Sequence, residues 1–272
     1  MCTELKKQVY KKFSVFMHNR SMKRKFLAFT ISEILIVMTI IGVVAALTVP
    51  DLVNSAGNRA NISRLKKVYS QLNEAQTRAV SVYGPVGEWF QSGFGGDCSK
   101  SYFDRVTEFV KIQNICRDAA NNCASDEKVK YMSEEDTVSY NDNAYVPQAI
   151  LADGAAIISL DFAYKYCNNN DAASGAVDYC GQIIVDTDGP HRGKNTLGID
   201  IFPLAITNQG VLPADSADYL KSNLDKCVYY GSCSAWVLEK NNMDYTLVNH
   251  DKSGTYNCPN GNNLTWQSYS CD

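Results

Sequence analysis

Three sets of side chains in this sequence are of types that can do chemistry: an isolated carboxylate at the head of an apolar run, a scattered group of cysteines, and an aspartate-rich segment beyond residue 185. The carboxylate is Glu33, followed by Ile34–Val49, sixteen residues without a charge. A carboxylate beside hydrocarbon is costly, so by default it is functional and needs a partner. Nine of the ten cysteines lie beyond residue 90, at Cys98, Cys116, Cys123, Cys167, Cys180, Cys227, Cys233, Cys258 and Cys271. None stands in a C-x-x-C pair and the chain has only three histidines, a poor supply for a zinc site. Dispersed cysteines in a loop-rich body fit an oxidising compartment, where they pair. Spacing alone does not fix the pairing. Local pairs are expected, Cys116–Cys123, Cys167–Cys180, Cys227–Cys233 and Cys258–Cys271, with Cys98 left over and Cys98–Cys116 as an alternative. Loops of this size stabilise by about 2–4 kcal/mol each when closed.

The aspartate-rich segment runs from Val185 to Phe202. Asp186, Asp188, Asn195 and Asp200, with loop carbonyls, are the hard oxygen donors that calcium prefers. The segment lacks the closing glutamate of an EF-hand, and Asp-Gly commonly marks a turn. The first reading is therefore an Asx-type turn between two strands, with aspartates bonding local amides, and calcium is the second. No catalytic constellation appears: there is no G-x-S-x-G, no H-E-x-x-H and no P-loop. His191 and His250, the histidines beyond residue 28, read as surface or turn residues, and Gly93-Phe94-Gly95-Gly96 as a loop. The expectation is a protein that is not an enzyme and holds no cofactor apart from that possible calcium. Residues 1–28 carry eight basic side chains against Glu4, a charge of +7, which leaves −10 for the rest of a chain whose formal net charge is −3. An acidic body is a poor general nucleic-acid binder, since phosphates need Lys and Arg.

The elements that must position these groups begin with the apolar run. With Phe29–Ser32 in front, it reaches the length of a membrane-spanning helix. Its basic flank predicts residues 1–28 in the cytoplasm and the body exported. Val44-Ala45-Ala46 also has the look of a secretory cleavage site. From Asp51 to Val82, Leu65, Val68, Leu72, Ala75, Ala79 and Val82 recur at spacings of three and four, which predicts an amphipathic continuation of the same helix. Gly84-Pro85 ends it. A helix from Phe29 to Val82 would be about 80 Å long. Beyond it, Ser99–Ile115 predicts a short helix, and Ala155–Phe162, Gln182–Asp186 and Asp200–Ile206 predict strands. Asp215 or Ser216 caps a short helix through Leu224, and Cys233–Leu238 suits either state.

Lys23-Arg24-Lys25-Phe26-Leu27-Ala28-Phe29-Thr30-Ile31-Ser32-Glu33-Ile34 resembles the cleavage and methylation motif of type IV prepilins and type II secretion pseudopilins. The resemblance implies a cut between Ala28 and Phe29 by a prepilin peptidase, N-methylation of Phe29, and Glu33 as the assembly glutamate. Gly42 and Pro50 match the family's helix-weakening positions. Ala28 stands where the family usually has Gly, and Ser32 where an aliphatic residue is commoner. Physical logic agrees with the pattern, because the new amine of one subunit can neutralise Glu33 of its neighbour and so set the stagger. The implied fold is α+β and pilin-like: a long N-terminal α-helix, transmembrane then amphipathic, packed on a mostly antiparallel sheet. Its parts are a cleaved leader (1–28), the long helix (29–83, transmembrane to about 50) and a cysteine-rich exported domain (84–272). Implied partners are other pilin or pseudopilin subunits, an inner-membrane assembly platform and membrane lipid. The implied location is a single pass of the inner membrane with the domain in the periplasm or exterior, then a pilus or pseudopilus. Some pseudopilins carry a structural calcium in a C-terminal loop, which the resemblance allows here.

Two functions fit. One is a filament subunit, minor rather than major, because a bulky head packs poorly in a filament. The alternative is a membrane-tethered or secreted ligand-binding exodomain that does not polymerise. A mature chain starting at Phe29 marks the first; Leu47 marks ordinary secretion, and an intact leader a plain anchor.

Overall fold

The computed structural model describes residues 30–89, 96–116, 123, 128–132, 137–139, 147–162, 167, 179–208, 210–214, 224–248 and 254–271. Helix α1 spans Ile31–Tyr83 without interruption in its assignment, through Gly42 and Pro50. By contacts the chain divides into two units, Met1–Leu52 and Val53–Asp272.

In the first unit, the described residues from Ile31 are the opening stretch of α1. Its apolar side chains, among them Leu35, Met38, Ile41 and Leu47, are all exposed. The window has a mean hydropathy of 2.3, and it is the one helix among the described residues long and apolar enough to cross a membrane.

In the second unit α1 acquires a buried face. Ile62, Leu65, Val68, Leu72, Ala75 and Ala79 all enter the core, the stripe that the three-four spacing predicts. Val82 does not: it is 62% exposed, while the polar Gln76 is fully buried. The buried face is thus skewed to the Gln76 side of the stripe, and Val82 falls off its opposite edge.

Against this face lies a six-stranded antiparallel sheet of β1 (Ile112–Ile115), β4 (Ala149–Leu151), β5 (Ala156–Phe162), β6 (Tyr179–Asp186), β7 (Ile201–Thr207) and β8 (Gly210–Pro213), in that spatial order. A short hairpin of β2 (Lys128–Lys130) and β3 (Thr137–Ser139) is inserted between β1 and β4 in sequence. The period of two divides the strands between two cores. Ile157, Ile183, Val185, Phe202, Leu204 and Ile206 face the main core with α1. Ala156, Ile158 and Ile201 form a smaller core on the other face with Val129 of β2 and Leu197. Helices α2 (Gly96–Thr107), α3 (Leu224–Tyr230) and α4 (Ser234–Lys240) and a small hairpin of β9 (Tyr256–Asn257) and β10 (Asn263–Leu264) complete the unit.

The α+β class with a long N-terminal helix and a mostly antiparallel sheet is therefore what the chain adopts. The expected helix over Ser99–Ile115 is corrected. α2 stops at Thr107 and the chain then enters β1, whose Ile112 and Ile115 pair with Leu151 and Ala149. Helix α3 starts at Leu224, where a helix was expected to end, and the proposed caps Asp215 and Ser216 lie outside the described residues. Cys233–Leu238 resolves as helix.

Four cysteine pairs lie at disulfide distance: Cys116–Cys123, Cys167–Cys180, Cys227–Cys233 and Cys258–Cys271, with Cα–Cα separations of 5.4, 4.1, 4.3 and 5.3 Å. These are the local pairs. Cys98 belongs to α2, but its side chain lies outside the described residues.

Candidate functional site

Two places gather the side chains singled out by the sequence: the start of α1 and the loop between β6 and β7. Ala28 and Phe29 lie outside the described residues. Thr30 and Glu33 form a reciprocal cap on α1. The Glu33 Oε2 accepts from the Thr30 N–H at 2.8 Å and from its hydroxyl at 2.9 Å, while the Glu33 N–H donates to the Thr30 hydroxyl at 3.2 Å. This is a capping box, in which two otherwise orphaned amides are satisfied at once. It explains why a carboxylate can lead the helix, with the positive end of the helix dipole as a second favourable term. Glu33 Oε2 carries all of these bonds, so Oε1 remains open to a further donor. Around Gly42 nothing lies within 4 Å of where a Cβ would stand. Of the Pro50 side chain nothing is described.

The β6–β7 loop is built around its aspartates. Asp186, fully buried at the end of β6, accepts the N–H of Asp188 at 3.2 Å and of Gly189 at 2.9 Å, closing an Asx-type turn. Asp200 accepts three amides: Lys194 at 2.5 Å and Asn195 at 2.9 Å on Oδ2, and Thr196 at 2.6 Å on Oδ1. Burial pushes the Asp200 carboxyl above the usual carboxylate range, opposed by these amides and reinforced by the nearby charge of Asp188. Asn195 takes a left-handed conformation, φ 50°, and its side-chain amide donates to the Pro190 carbonyl at 3.4 Å. Asp188 Oδ2 meets Arg64 Nη1 of α1 at 3.0 Å, and its Oδ1 is buried without a partner. Gly193, φ 73°, is required where it stands: a Cβ would come within 2.8 Å of both Asp188 oxygens.

The four proposed calcium donors thus share one loop, but Asp186 Oδ1 and both Asp200 oxygens accept main-chain amides and Asp188 Oδ2 meets Arg64. Among the described residues no group of three or more His, Cys, Asp or Glu is disposed to hold a metal ion. The arrangement is the one a structural turn requires.

No family model, no curated protein and no solved structure matches this chain. What it does must be argued from its own residues. Several that matter were invisible to sequence reasoning. Lys67 of α1 pairs with Asp153 of the β4–β5 turn at 3.0 Å, and Lys66 donates to Asn241 at 2.7 Å. With Arg64–Asp188, one turn of α1 grips three separate loops. Further along, the buried Gln76 donates to the Thr207 carbonyl at 2.7 Å and accepts from the Tyr102 hydroxyl at 2.9 Å. Burial pushes the Tyr102 phenol up, so it remains a donor throughout the physiological range. The only sequence signal for this network was a polar residue inside an apolar stripe.

Proposed function

We propose that this chain is a structural subunit, cut before Phe29 and N-methylated there, that assembles through α1 into a type IV pilus or a type II secretion pseudopilus, and that it catalyses no reaction. One observation carries the reading: the opening stretch of α1 presents its apolar side chains outward, with no tertiary partner among the described residues. Such a surface needs lipid or other helices to cover it. Glu33 at its head makes a plain anchor an incomplete account. In the proposed filament, its capping bonds to Thr30 hold the carboxylate at the very start of the helix. There Oε1 can receive the Phe29 amine of the next subunit, and each charge relieves the cost of the other in a low-dielectric setting.

The test has two parts. Co-expression with a prepilin peptidase should give a mature mass that begins at N-methylated Phe29; a start at Leu47 or an intact leader would refute processing and leave a secreted or a tethered exodomain respectively. Glu33→Ala should insert normally, since the segment becomes more apolar, while the filament-associated fraction falls sharply. Normal incorporation of this variant would show that Glu33 does not set the stagger.

A further inference from the structure

The exported unit is acidic overall, yet it concentrates cations at one place. The loop after Pro190 reads His191-Arg192-Gly193-Lys194, and all four residues are exposed. Beside it stands Lys130 of β2. Val129 is fully buried in the smaller core, so the period of two turns Lys128 and Lys130 outward. The strand and the loop are stitched together: the Lys130 N–H donates to the Asn195 carbonyl at 2.8 Å, and the Leu197 N–H to the Lys130 carbonyl at 2.9 Å. Between them opens a cavity of about 400 Å³, lined by Lys130, His191, Arg192, Lys194, Asn195 and Thr196 around Gly193, with no acid in its wall.

Two features separate this place from an ordinary solvated face. Lys130, Arg192 and Lys194 have no carboxylate partner among the described residues, as holds for Arg59 and Lys111 too, but here the three line one cavity. Of the acids nearest in the loop, Asp200 is buried beneath it and accepts three main-chain amides, and Asp188 is largely buried with one oxygen on Arg64 and the other without a partner. The base is also rigid, because Asp200 ties down three consecutive amides under the cations. Fixed, unneutralised cations are what an anion site needs: a guanidinium fork that can grip two oxygens, and ammonium groups that add point charge.

We propose that this cavity is an anion site for a phosphate group, supplied either by the headgroup of an acidic phospholipid or by free phosphate. The candidate membrane span of the same chain makes the lipid the first source to test. The loop is tied through Asp188 to Arg64, within one turn of Ile62, the first buried residue of α1. The cavity therefore lies at the end of the unit through which the chain enters. Five acids flank β2 in sequence, Asp126, Glu127, Glu134, Glu135 and Asp136, outside the described residues. A direct titration weighs their field together with that of the cations. The proposal stands apart from filament assembly, and its test uses unassembled protein.

The full chain in detergent is titrated with inorganic phosphate and followed by calorimetry. Saturable binding is expected, weakened about tenfold or more in Lys130→Gln/Arg192→Gln/Lys194→Gln, and weakened by added salt, as exposed charge contacts require. Unchanged circular dichroism certifies the fold of the triple variant, and the single exposed change Lys194→Gln repeats the measurement with less risk to folding. Absence of saturable binding, or equal binding by the variants, overturns the site. The full chain in nanodiscs of phosphatidylcholine, with or without phosphatidylglycerol, then identifies the source. Slower acylation of Lys194 with the anionic lipid assigns the headgroup; phosphate binding without that protection assigns free phosphate.

Discussion

Replacing Asp200 by Asn sets two opposed effects against each other at one atom. The side chain keeps its shape and loses its charge. In the better of its two orientations the amide oxygen stands at the Oδ2 position and still accepts from Lys194 and Asn195. The NH2 group then stands at the Oδ1 position, facing the Thr196 N–H that the carboxylate accepted at 2.6 Å. One charge-assisted bond is replaced by two donors face to face, a loss of about 1.5–3 kcal/mol. Relief from burying a charge beside Asp188 offsets part of it. The net expectation is a destabilisation of about 1–2 kcal/mol. For a unit of 220 residues, Val53–Asp272, that lowers the melting temperature by roughly 2–8 °C. The pH dependence carries its own sign. Because the folded carboxyl is raised above its unfolded value, the native state holds the proton more tightly. Stability should therefore fall as pH rises from the ordinary carboxylate range through the raised value, and level off above it. In Asp200→Asn that part of the slope should vanish. Thermal melts of both proteins across acidic to neutral pH provide the comparison. A variant that melts at or above the wild type would refute the claim that the lost Thr196 bond and the facing donors outweigh the relief of the buried charge.

Millimolar calcium should leave the melting temperature unchanged, since Asp186 and Asp200 are engaged by amides; a clear rise would show by mass action that the loop binds the ion after all. Reduction should loosen the Val53–Asp272 unit, visible as slower migration on non-denaturing gels, and thiol counting on the native protein should find at most two reactive cysteines. Nine free thiols would refute the disulfides.

The parts legible in the sequence are those with a strong, sustained period. The uncharged run of α1, the stripe from Leu65 to Ala79 and the apolar or alternating β5, β6 and β7 each repeat their signal over many residues. The misreadings occur where one period runs into the next. Tyr102, Phe103 and Val106 sit at helical spacing, and Phe109 and Val110 continue it by chance, so β1 was absorbed into a helix. The three-residue strands β2 and β3 are too short for any period to register. At the candidate sites, the turn role of Asp186 and the Thr30–Glu33 spacing were local and readable. The grip of Arg64 on Asp188 joins residues 124 positions apart, and nothing in either neighbourhood announces it. The cationic loop was likewise hidden, because its partner Lys130 comes from a distant hairpin.

The cysteine pattern has a consequence for how such a chain is made. Each paired cysteine is bonded to the next one along the chain, at separations of 7, 13, 6 and 13 residues. Loops so short close on the submicrosecond scale, about 10–100 ns for ten residues, while oxidation takes seconds to hours, so the oxidant and not the encounter sets the pace. In a polypeptide threaded N-terminus first into an oxidising space, Cys98 emerges before Cys116 and competes with Cys123 for it, whereas each later pair emerges with its own partner next in line. An oxidase that adds bonds in order of appearance would therefore give the native set once a Cys98–Cys116 bridge is reshuffled.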